Sequence, residues 1–480
     1  MAQKFLSTIF ICLFSGLMFS SSYGQFLKKE KIYTLDKNEY VAHEENSLGL
    51  YQNELGYVVV TADIKDFSRS YHIKGKKYGP FNRRELSKPV FNYANWGFID
   101  SKDETSYVIY KGKELGIHET PYYPVGLKIK GDAWAYVLIN QAEGTTEVVI
   151  NGKKNGPYTT LLNYHLSDNG KRWAITYSNT PNEHNILFND GRVAGPYKEV
   201  IDFQFLEPNR WVLTAEPKDS PTKILSDGRK VKEIIVETSN GIVGTYEKEL
   251  LNNSNYDCDN LIARGSNYGL NIIKDQKIYY LANDEMYGPH EALVQQVDMG
   301  KRYNRFNFVV GKDRRFYIKG EKGFSSNVEM FAVSDSRKNV AIVKRGSSSK
   351  DSLVLNDKYF KGTFDKIAYV KFAANSEEWC LLSKSKDGYY LHFSNREKQG
   401  PYNIDDSRGV PQILLGKDSK HWAITYQDAK SKQLKLLVDG QERKEKFIGN
   451  IAITKEGDKE YFSWFSLENK TIFLNKLLLQ

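Results

Sequence analysis

The tryptophans of this chain recur at a nearly fixed interval, and this spacing restricts the fold more than any other feature. They form two series, with spacings of 38, 39 and 38 residues in the first and 43 and 42 in the second: Trp96, Trp134, Trp173 and Trp211, then Trp379, Trp422 and Trp464. Weaker copies of the same position occur at Tyr57, Tyr268, Phe306 and Val340. A sequence with about eleven units of about forty residues is typical of a protein built from four-stranded propeller blades.

Two shorter motifs run in step with the tryptophans. One is an apolar run that ends in Asn-Gly or Asp-Gly, as at Asn151-Gly152 and Asp439-Gly440, and these dipeptides favour tight hairpin turns with positive φ. The other is Gly-Pro-aromatic, as in Gly156-Pro157-Tyr158. Because proline cannot donate to a ladder, we expect this motif to mark the start of an edge strand. Each unit is then predicted to hold an apolar strand, the Trp strand, the strand before the Asn-Gly turn and a strand after Gly-Pro-aromatic.

The spacing of the units also bears on domain number. It jumps to 57 residues between Trp211 and Tyr268, and eleven blades exceed the usual four to eight of one ring. The predicted fold is all-β, with two tandem propellers of five or six four-stranded blades, one over residues 25–245 and one over residues 246–480. A single large ring is the alternative.

The N-terminus is typical of a secretory signal over residues 1–24. Lys4 supplies a positive charge, residues 5–19 are mostly apolar, and the small residues Ser20, Ser21, Ser22 and Gly24 follow. The apolar run is too short to span a membrane comfortably, so we expect cleavage near Gly24 and no membrane span in the mature chain. An uncleaved anchor is the alternative. The predicted location is the periplasm or the cell surface.

The composition excludes some function classes. The formal charge is only +9 over 480 residues, and the basic residues do not form a block, so nucleic-acid binding is not supported. Two cysteines remain after processing, Cys258 and Cys380, and they make no disulfide framework. We expect two unpaired thiols, with a bridge between them as the alternative.

The stretch Ser167-Asp168-Asn169-Gly170-Lys171-Arg172-Trp173-Ala174, together with the Asn-Gly-Lys and Gly-Pro-Tyr motifs, resembles the WD-like propeller repeats of exported bacterial proteins. Those repeats are similar to the ones in the TolB propeller. The best copy here has Ser-Asp-Asn-Gly where the family usually has Ser-Pro-Asp-Gly. The resemblance implies the fold and an interaction role, and it implies no particular ligand.

Motifs for catalysis and metal binding are missing from the sequence. Gly265-Ser266-Asn267-Tyr268-Gly269 has the wrong spacing for a nucleophile elbow, and there is neither a phosphate-binding loop nor a zinc helix. Four short acidic or histidine-containing stretches are interpreted as ordinary surface segments: His43-Glu44-Glu45, His118-Glu119, Asp257-Cys258-Asp259-Asn260 and Asp405-Asp406. The sequence therefore predicts no catalytic residue, no metal site and no cofactor.

The recurring tryptophans are predicted to pack between blades, so ligand-binding residues are expected off the repeat, on rim loops or around a channel. The off-repeat pairs Tyr122-Tyr123 and Tyr389-Tyr390 are candidates. The leading hypothesis is a non-enzymatic scaffold that binds an envelope or extracellular protein through its propeller faces. The alternatives are a glycan-binding module, a carbohydrate- or peptide-processing enzyme with a site assembled from several blades, and a purely structural surface protein.

Overall fold

The structure is a computed structural model. It describes residues 27–41, 48–50, 57–73, 75–82, 89–92, 95–220, 222–224, 230–249, 261–290, 294–299, 306–310, 315–318, 321–322, 327–336, 338–346, 350–356, 358–374, 377–405, 407, 411–417, 420–444 and 446–479. Over these ranges no helix has the length and apolar character that crossing a membrane requires. The predicted signal peptide lies outside them.

The strands fall into eleven units, numbered here along the chain after an initial strand, β1 (Leu27–Thr34). Units 1 to 4 are β2 (Glu39–Val41), β3 (Leu48–Leu50), β4 (Tyr57–Asp63), β5 (Arg69–Ile73) and β6 (Lys76–Phe81); β7 (Val90–Asn92), β8 (Asn95–Lys102), β9 (Thr105–Tyr110) and β10 (Lys113–His118); β11 (Tyr122–Lys130), β12 (Ala133–Asn140), β13 (Thr145–Ile150) and β14 (Lys153–Tyr158); β15 (Thr160–Leu166), β16 (Trp173–Ser178), β17 (His184–Phe188) and β18 (Val193–Tyr197). Units 5 to 8 are β19 (Glu199–Leu206), β20 (Arg210–Glu216), β21 (Thr222–Ile224), β22 (Lys230–Thr238) and β23 (Gly241–Glu249); β24 (Ile262–Arg264), β25 (Asn267–Lys274), β26 (Lys277–Ala282) and β27 (Glu285–His290); β28 (Val294–Met299), β29 (Phe306–Val310), β30 (Arg315–Ile318) and β31 (Glu321–Lys322); β32 (Val328–Val333), β33 (Val340–Arg345), β34 (Asp351–Leu355) and β35 (Lys358–Phe364). Units 9 to 11 are β36 (Lys366–Phe372), β37 (Trp379–Ser385), β38 (Gly388–Phe393) and β39 (Gln399–Tyr402); β40 (Gln412–Leu415), β41 (Trp422–Gln427), β42 (Leu434–Val438) and β43 (Gln441–Glu442); β44 (Phe447–Glu456), β45 (Lys459–Glu468) and β46 (Thr471–Leu479).

Most units are antiparallel meanders in which neighbouring strands follow one another along the chain, and in units 1 and 5 the short strands β3 and β21 pair beside the main strand order. Among the described strands, eight sheets have four strands and unit 1 forms a five-stranded sheet. Units 5 and 6 share a nine-stranded sheet through a single pairing, Glu247 with Ile273. In unit 11 the fourth strand is β1, which pairs with β46 from Leu27↔Leu477 to Thr34↔Thr471. The start of the described chain therefore completes the last sheet.

The positions predicted from the tryptophan repeat are confirmed as one structural position. Ten lie on the second strand of a unit: Trp96, Trp134, Trp173, Trp211, Tyr268, Phe306, Val340, Trp379, Trp422 and Trp464. Tyr57 lies on β4, which is second in the sheet order of unit 1 because the short strand β3 pairs beside it. Trp464 is fully buried and Trp422 is nearly so, whereas Trp134 and Trp173 are half-buried at the margin of the core. The seven tryptophan side chains pack between sheets, as predicted.

The hydrophobic core is a series of clusters, each shared by two consecutive units. Trp422 and Leu382 belong to the cluster between units 9 and 10, and Leu414 and Phe462 belong to the one between units 10 and 11. The same pattern holds for the intervening pairs of units. A further cluster joins Tyr57 of unit 1 to unit 11, so the contacts return to their starting point.

The contacts between neighbouring units can be compared with the predicted division into residues 25–245 and 246–480. Units 5 and 6, on the two sides of the predicted boundary, share a hydrophobic cluster as the other neighbours do. Residues 250–260, within the long interval between Trp211 and Tyr268, lie outside the described residues. Two rings therefore stay a prediction, and a single ring stays its alternative.

The position predicted for the Gly-Pro-aromatic motif was wrong by one strand. The motif ends the fourth strand of a unit, and the strand that follows begins the next unit. In unit 3 the ladder pairs Asn155 with Val148 and Tyr158 with Thr146, so Pro157 lies at a bulge where no ladder hydrogen bond is needed. The aromatic ring after the proline is then buried, as Tyr158 shows. The five Gly-Pro bonds of this motif are all cis.

The Asn-Gly and Asp-Gly turns have the predicted positive φ, and they contain a hydrogen-bonded link to the tryptophan strand. Asn151 has a φ of 48°, its Oδ1 accepts a bond from the Trp134 amide at 3.0 Å, and its own amide donates to the Trp134 carbonyl at 3.0 Å. Asp439 and Trp422 repeat the arrangement in unit 10. An asparagine or aspartate is therefore favoured both for its conformation and for its side-chain acceptor.

Candidate functional site

A cavity of about 690 Å³ lies between the first strands of five consecutive units, units 2 to 6. It is lined by Val90, Phe91, Asn92, Leu127, Lys128, Ile129, Lys130, Tyr164, His165, Leu166, Asp168, Gln204, Phe205, Ala263 and Gly265. The first strands of these units contact one another, whereas fourth strands such as β14 and β18 are mostly exposed. The cavity thus lies on the inner side of this arc of sheets, and its volume is in the range of ordinary ligand sites.

Three polar residues of the cavity occupy the same position of the repeat. The partner of the tryptophan across the ladder is Ile129 in unit 3, Leu166 in unit 4 and Phe205 in unit 5. The residue just before each partner is Lys128, His165 and Gln204, respectively. Each is half-buried, while neighbouring residues on the strand are mostly buried. One structural position thus brings a cation, an imidazole and an amide to one cavity.

Lys128 is the central cation of the cavity. Its Nζ donates to the Tyr164 carbonyl at 2.6 Å and to the Asn163 Oδ1 at 3.1 Å, and it lies 4.1 Å from the centre of the Tyr164 ring. Burial lowers the pKa of Lys128. These contacts hold the ammonium between units 3 and 4 through neutral groups and a π face.

Lys130 has a carboxylate partner. Its Nζ lies 2.8 Å from the Asp168 Oδ1, which joins β11 to the turn after β15. The turn approaches closely, because a Cβ on Gly170 would collide with the Lys130 carbonyl oxygen, and Gly170 has a φ of +70°. Glycine is therefore required there for both its space and its conformation.

His165 is neutral at neutral pH. Its ring centre lies 4.9 Å from that of Phe203. Burial lowers the pKa of His165 to about 4, and the positive charge of Lys128 adds to the effect. The imidazole can therefore donate or accept hydrogen bonds without adding charge to the cavity.

The tyrosine pairs that the sequence singled out do not line this cavity. Tyr122 is exposed at the start of β11, where the Lys154 Nζ lies 5.6 Å from its ring centre, and Tyr123 is half-buried beside it. Tyr389 is buried in the core between units 9 and 10. Tyr390 is half-buried and donates a hydrogen bond to the Asp387 carboxylate. Tyr389 therefore serves packing, and the other three lie elsewhere on the surface.

The other residues considered from sequence have local structural partners. His118 is half-buried, its Nε2 lies 3.2 Å from the Tyr136 hydroxyl, and burial lowers its pKa. Hydrogen bonds from Ser407 and Lys432 lower the pKa of Asp405 to about 2. In the described part of the chain no group of three His, Cys, Asp or Glu residues has a metal-binding arrangement. Three predicted segments lie outside that part: His43-Glu44-Glu45, residues 257–260 and Asp406.

Gly265 and Ser266 do form a sharp turn, but it connects two strands. Gly265 has a φ of +61°, lines the cavity, and stands between β24 and β25. The carbonyl oxygen of Ser266 accepts a hydrogen bond from Arg210 Nη2 at 2.8 Å. The segment is thus a hairpin with no helix after the serine, unlike a nucleophile elbow.

Cys380 is a free thiol in the core between units 9 and 10. Burial raises its pKa to about 12, so it is an inert thiol of the interior. Cys258 lies outside the described residues.

The cavity residues were missed because they do not form a sequence motif. Lys128, His165 and Gln204 are chemically different, and they precede the repeat tryptophan by six, eight and seven residues. The signal that could have found them is structural alignment of the first strands on the residue that faces each tryptophan. At that position the residue type differs from unit to unit, whereas the neighbouring residues on the strand are mostly apolar.

Comparisons with known proteins concern the fold. No protein-family model matches the chain, and no curated protein matches it. Acylaminoacyl peptidase from Pyrococcus horikoshii is 16% identical, with 72% of this chain and 58% of that one covered and a TM-score of 0.25. This chain thus spans less than two thirds of that peptidase. The β-propeller domain of the Trilobed protease from Pyrococcus furiosus is 15% identical, with coverage of 67% and 97% and a TM-score of 0.25. A eukaryotic initiation factor is 11% identical, with coverage of 75% and 93% and a TM-score of 0.37.

The fold class is established by the sheets. Repeated antiparallel four-stranded meanders are packed face to face, with their tryptophans between them and β1 completing the last sheet. This is the construction of β-propellers. The chain is an all-β repeat protein of the propeller type.

Proposed function

We propose that this chain is an exported, non-enzymatic binding protein of the periplasm or cell surface, and that it holds an envelope or extracellular protein partner at the cavity of units 2 to 6. The observation that carries the proposal is the shared repeat position of Lys128, His165 and Gln204 around that cavity. Side chains kept for packing repeat their chemistry from unit to unit, whereas these three differ. The sequence of residues 1–24 supports export.

The state of the ionisable groups supports binding over catalysis. A general base is most effective when its pKa is near the working pH, and that of His165 is about 4. The carboxylate of Asp168 is engaged by Lys130. The cavity therefore offers fixed hydrogen-bonding groups and a cation, which suit recognition.

The test compares partner capture by the mature chain and by a variant with a filled cavity. Tagged protein is crosslinked in its native envelope fraction, purified and analysed by mass spectrometry. Gln204→Trp fills the cavity, and Lys153→Trp places the same side chain on the exposed strand β14. We expect the wild type and the Lys153 variant to enrich the same envelope protein and the Gln204 variant to lose it.

Two results would contradict the proposal. Equal capture by the Gln204 variant, with unchanged circular dichroism, would place the binding surface elsewhere. No enrichment by the wild type would contradict a protein-binding role. Export is tested separately by fusing residues 1–30 to alkaline phosphatase, which is active only outside the cytoplasm, and an inactive fusion would contradict it.

A further inference from the structure

The charge of the cavity constrains the chemistry of what it holds. Lys130 is paired with Asp168, whereas Lys128 contacts a carbonyl oxygen, an amide oxygen and an aromatic ring, all neutral. His165 is neutral at pH 7. The lining of the cavity, as far as the structure describes it, therefore has one positive charge in excess at neutral pH.

This excess charge is placed where it interacts strongly with a ligand. Lys128 is half-buried, and a charge in such a position is screened by water and salt much less than one on the open surface. The positive charge of Lys128 already acts on a neighbouring group, since it contributes to the lowered pKa of His165. An anionic group entering the cavity would meet this ammonium directly.

A second observation concerns a buried hydrogen-bond donor next to the cavity. Tyr164 is one of the lining residues and also belongs to the core cluster between units 3 and 4; 5% of its surface is exposed, and its hydroxyl has no hydrogen-bond partner among the described residues. Burial raises the pKa of Tyr164, so the hydroxyl keeps its proton as a donor. A buried donor without a partner costs free energy until an acceptor satisfies it.

The rest of the lining mixes apolar and polar groups. Val90, Leu127 and Leu166 are apolar, and Asn92 and Gln204 add amides. A glutamate side chain combines two methylene groups with a terminal carboxylate, so it can contact both the apolar residues and the ammonium. Because the partner in the proposed function is a protein, we take the carboxylate to be that of a side chain, and a sugar acid is the alternative that the experiment tests.

We propose that the cavity receives an acidic peptide segment of the protein partner, with a carboxylate held by Lys128. This inference rests on the proposed function, because it names the chemistry of the group that the cavity binds. Tyr164 and Gln204 complete the set of groups that contact the carboxylate and its stem.

The experiment measures binding of small probes to the purified mature chain by isothermal titration calorimetry. The peptides are acetyl-Gly-Glu-Glu-Gly-amide and acetyl-Gly-Gln-Gln-Gly-amide, which differ only in the carboxylates, and trigalacturonate is the acidic sugar. We expect the Glu peptide to bind at least tenfold more tightly than the other two probes. Lys128→Gln should abolish the preference, whereas Lys128→Arg, which keeps the charge, should retain it. The matched control is Lys153→Gln, an exposed lysine on the outer strand of the same unit, and it should behave as wild type.

Each other outcome overturns the inference. Equal binding of the Glu and Gln peptides, or an unchanged preference in Lys128→Gln, would show that no carboxylate is recognised by Lys128. Tighter binding of trigalacturonate would exclude a peptide, and no binding of any probe would exclude this ligand chemistry. If partner capture still depends on an open cavity in these cases, the proposed function stands and only its acidic ligand is wrong.

Discussion

A buried lysine with two carboxylate partners connects β1 to the last sheet, and its contribution to stability can be measured. Lys476 in β46 is only 1% exposed at its side chain, and its Nζ lies 3.0 Å from Glu30 Oε2 and 2.7 Å from Glu456 Oε1. Glu30 belongs to β1 and Glu456 to β44, on the two sides of β46 and at opposite ends of the chain. The ammonium therefore links the first strand of the chain to its last sheet.

The size of the effect follows from burial. Replacing both glutamates by glutamine leaves a buried ammonium without a counter-charge, and breaking a buried pair in this way costs about 3–5 kcal/mol. Glu30 and Glu456 are 41% and 29% exposed, so water moderates the loss and we expect about 3 kcal/mol, the lower end of that range. Each single variant keeps one carboxylate and should cost about 1 kcal/mol, so the two effects are not additive. Adding Lys476→Met to the double variant removes the uncompensated charge and should restore most of the stability.

The assay is urea unfolding followed by far-UV circular dichroism, with the free energy of unfolding taken from the midpoint and slope. Glu147→Gln is the control, because Glu147 pairs with Lys154 on an exposed strand and such pairs contribute about 0–1 kcal/mol. A loss below about 1 kcal/mol in the double variant, comparable to the control, would refute the argument from burial. So would a triple variant as unstable as the double, since the cost would then not come from the ammonium.

Other consequences can be checked with the same protein. Because burial holds the pKa of His165 near 4, the unfolded chain takes up a proton there that the folded chain does not, so stability should fall as the pH drops from 6.5 to 4, and His165→Gln should flatten that part of the profile in urea titrations. Asn151→Ala loses an acceptor and strains a residue with a φ of 48°, so it should cost about 1–2 kcal/mol in urea unfolding, and more than Asn151→Gly, which keeps the conformation. The Cys380 thiol, fully buried with a pKa of about 12, should not react with a thiol reagent in the folded chain when the other mature cysteine is replaced by serine, and full reaction on a time scale of minutes would contradict its burial. Because β1 completes the last sheet, neither residues 25–245 nor residues 246–480 expressed alone should give the sharp thermal transition of the whole chain, and two independently stable halves would show that the closure is dispensable.

The strands were predictable where a local rule repeats. The tryptophan position recurs because each second strand must place a large side chain between two sheets, and the rule also located the weak copies Tyr268 and Val340. The Asn-Gly turns were predictable because positive φ restricts the residue type. Both constraints act within one unit, so the same residue types recur in the sequence of each unit.

The errors concern features that depend on pairing between strands. Gly-Pro-aromatic was assigned to the start of a strand because proline lacks a donor, but the same property suits a bulge at the end of one, as at Pro157. The sequence alone does not distinguish a strand start from a bulge near a strand end; the register of the strand pairing does. That a strand near residues 31–35 completes a sheet was expected from the way propellers close, and β1 confirms it. Which sheet it joins was beyond the sequence, since nothing in residues 27–34 specifies a partner more than four hundred residues away.

The cavity was missed for a related reason, and this reason also favours its role in binding. A repeat protein conserves from unit to unit what each unit needs to pack, so a search for repeats finds the core first. Lys128, His165 and Gln204 share a backbone position but differ in chemistry, which hides them from such a search. Packing alone would be served by an apolar residue at that position, as Val90 shows in unit 2, whereas a half-buried lysine carries a desolvation cost that folding does not require. We therefore expect these three side chains to serve binding, as proposed above.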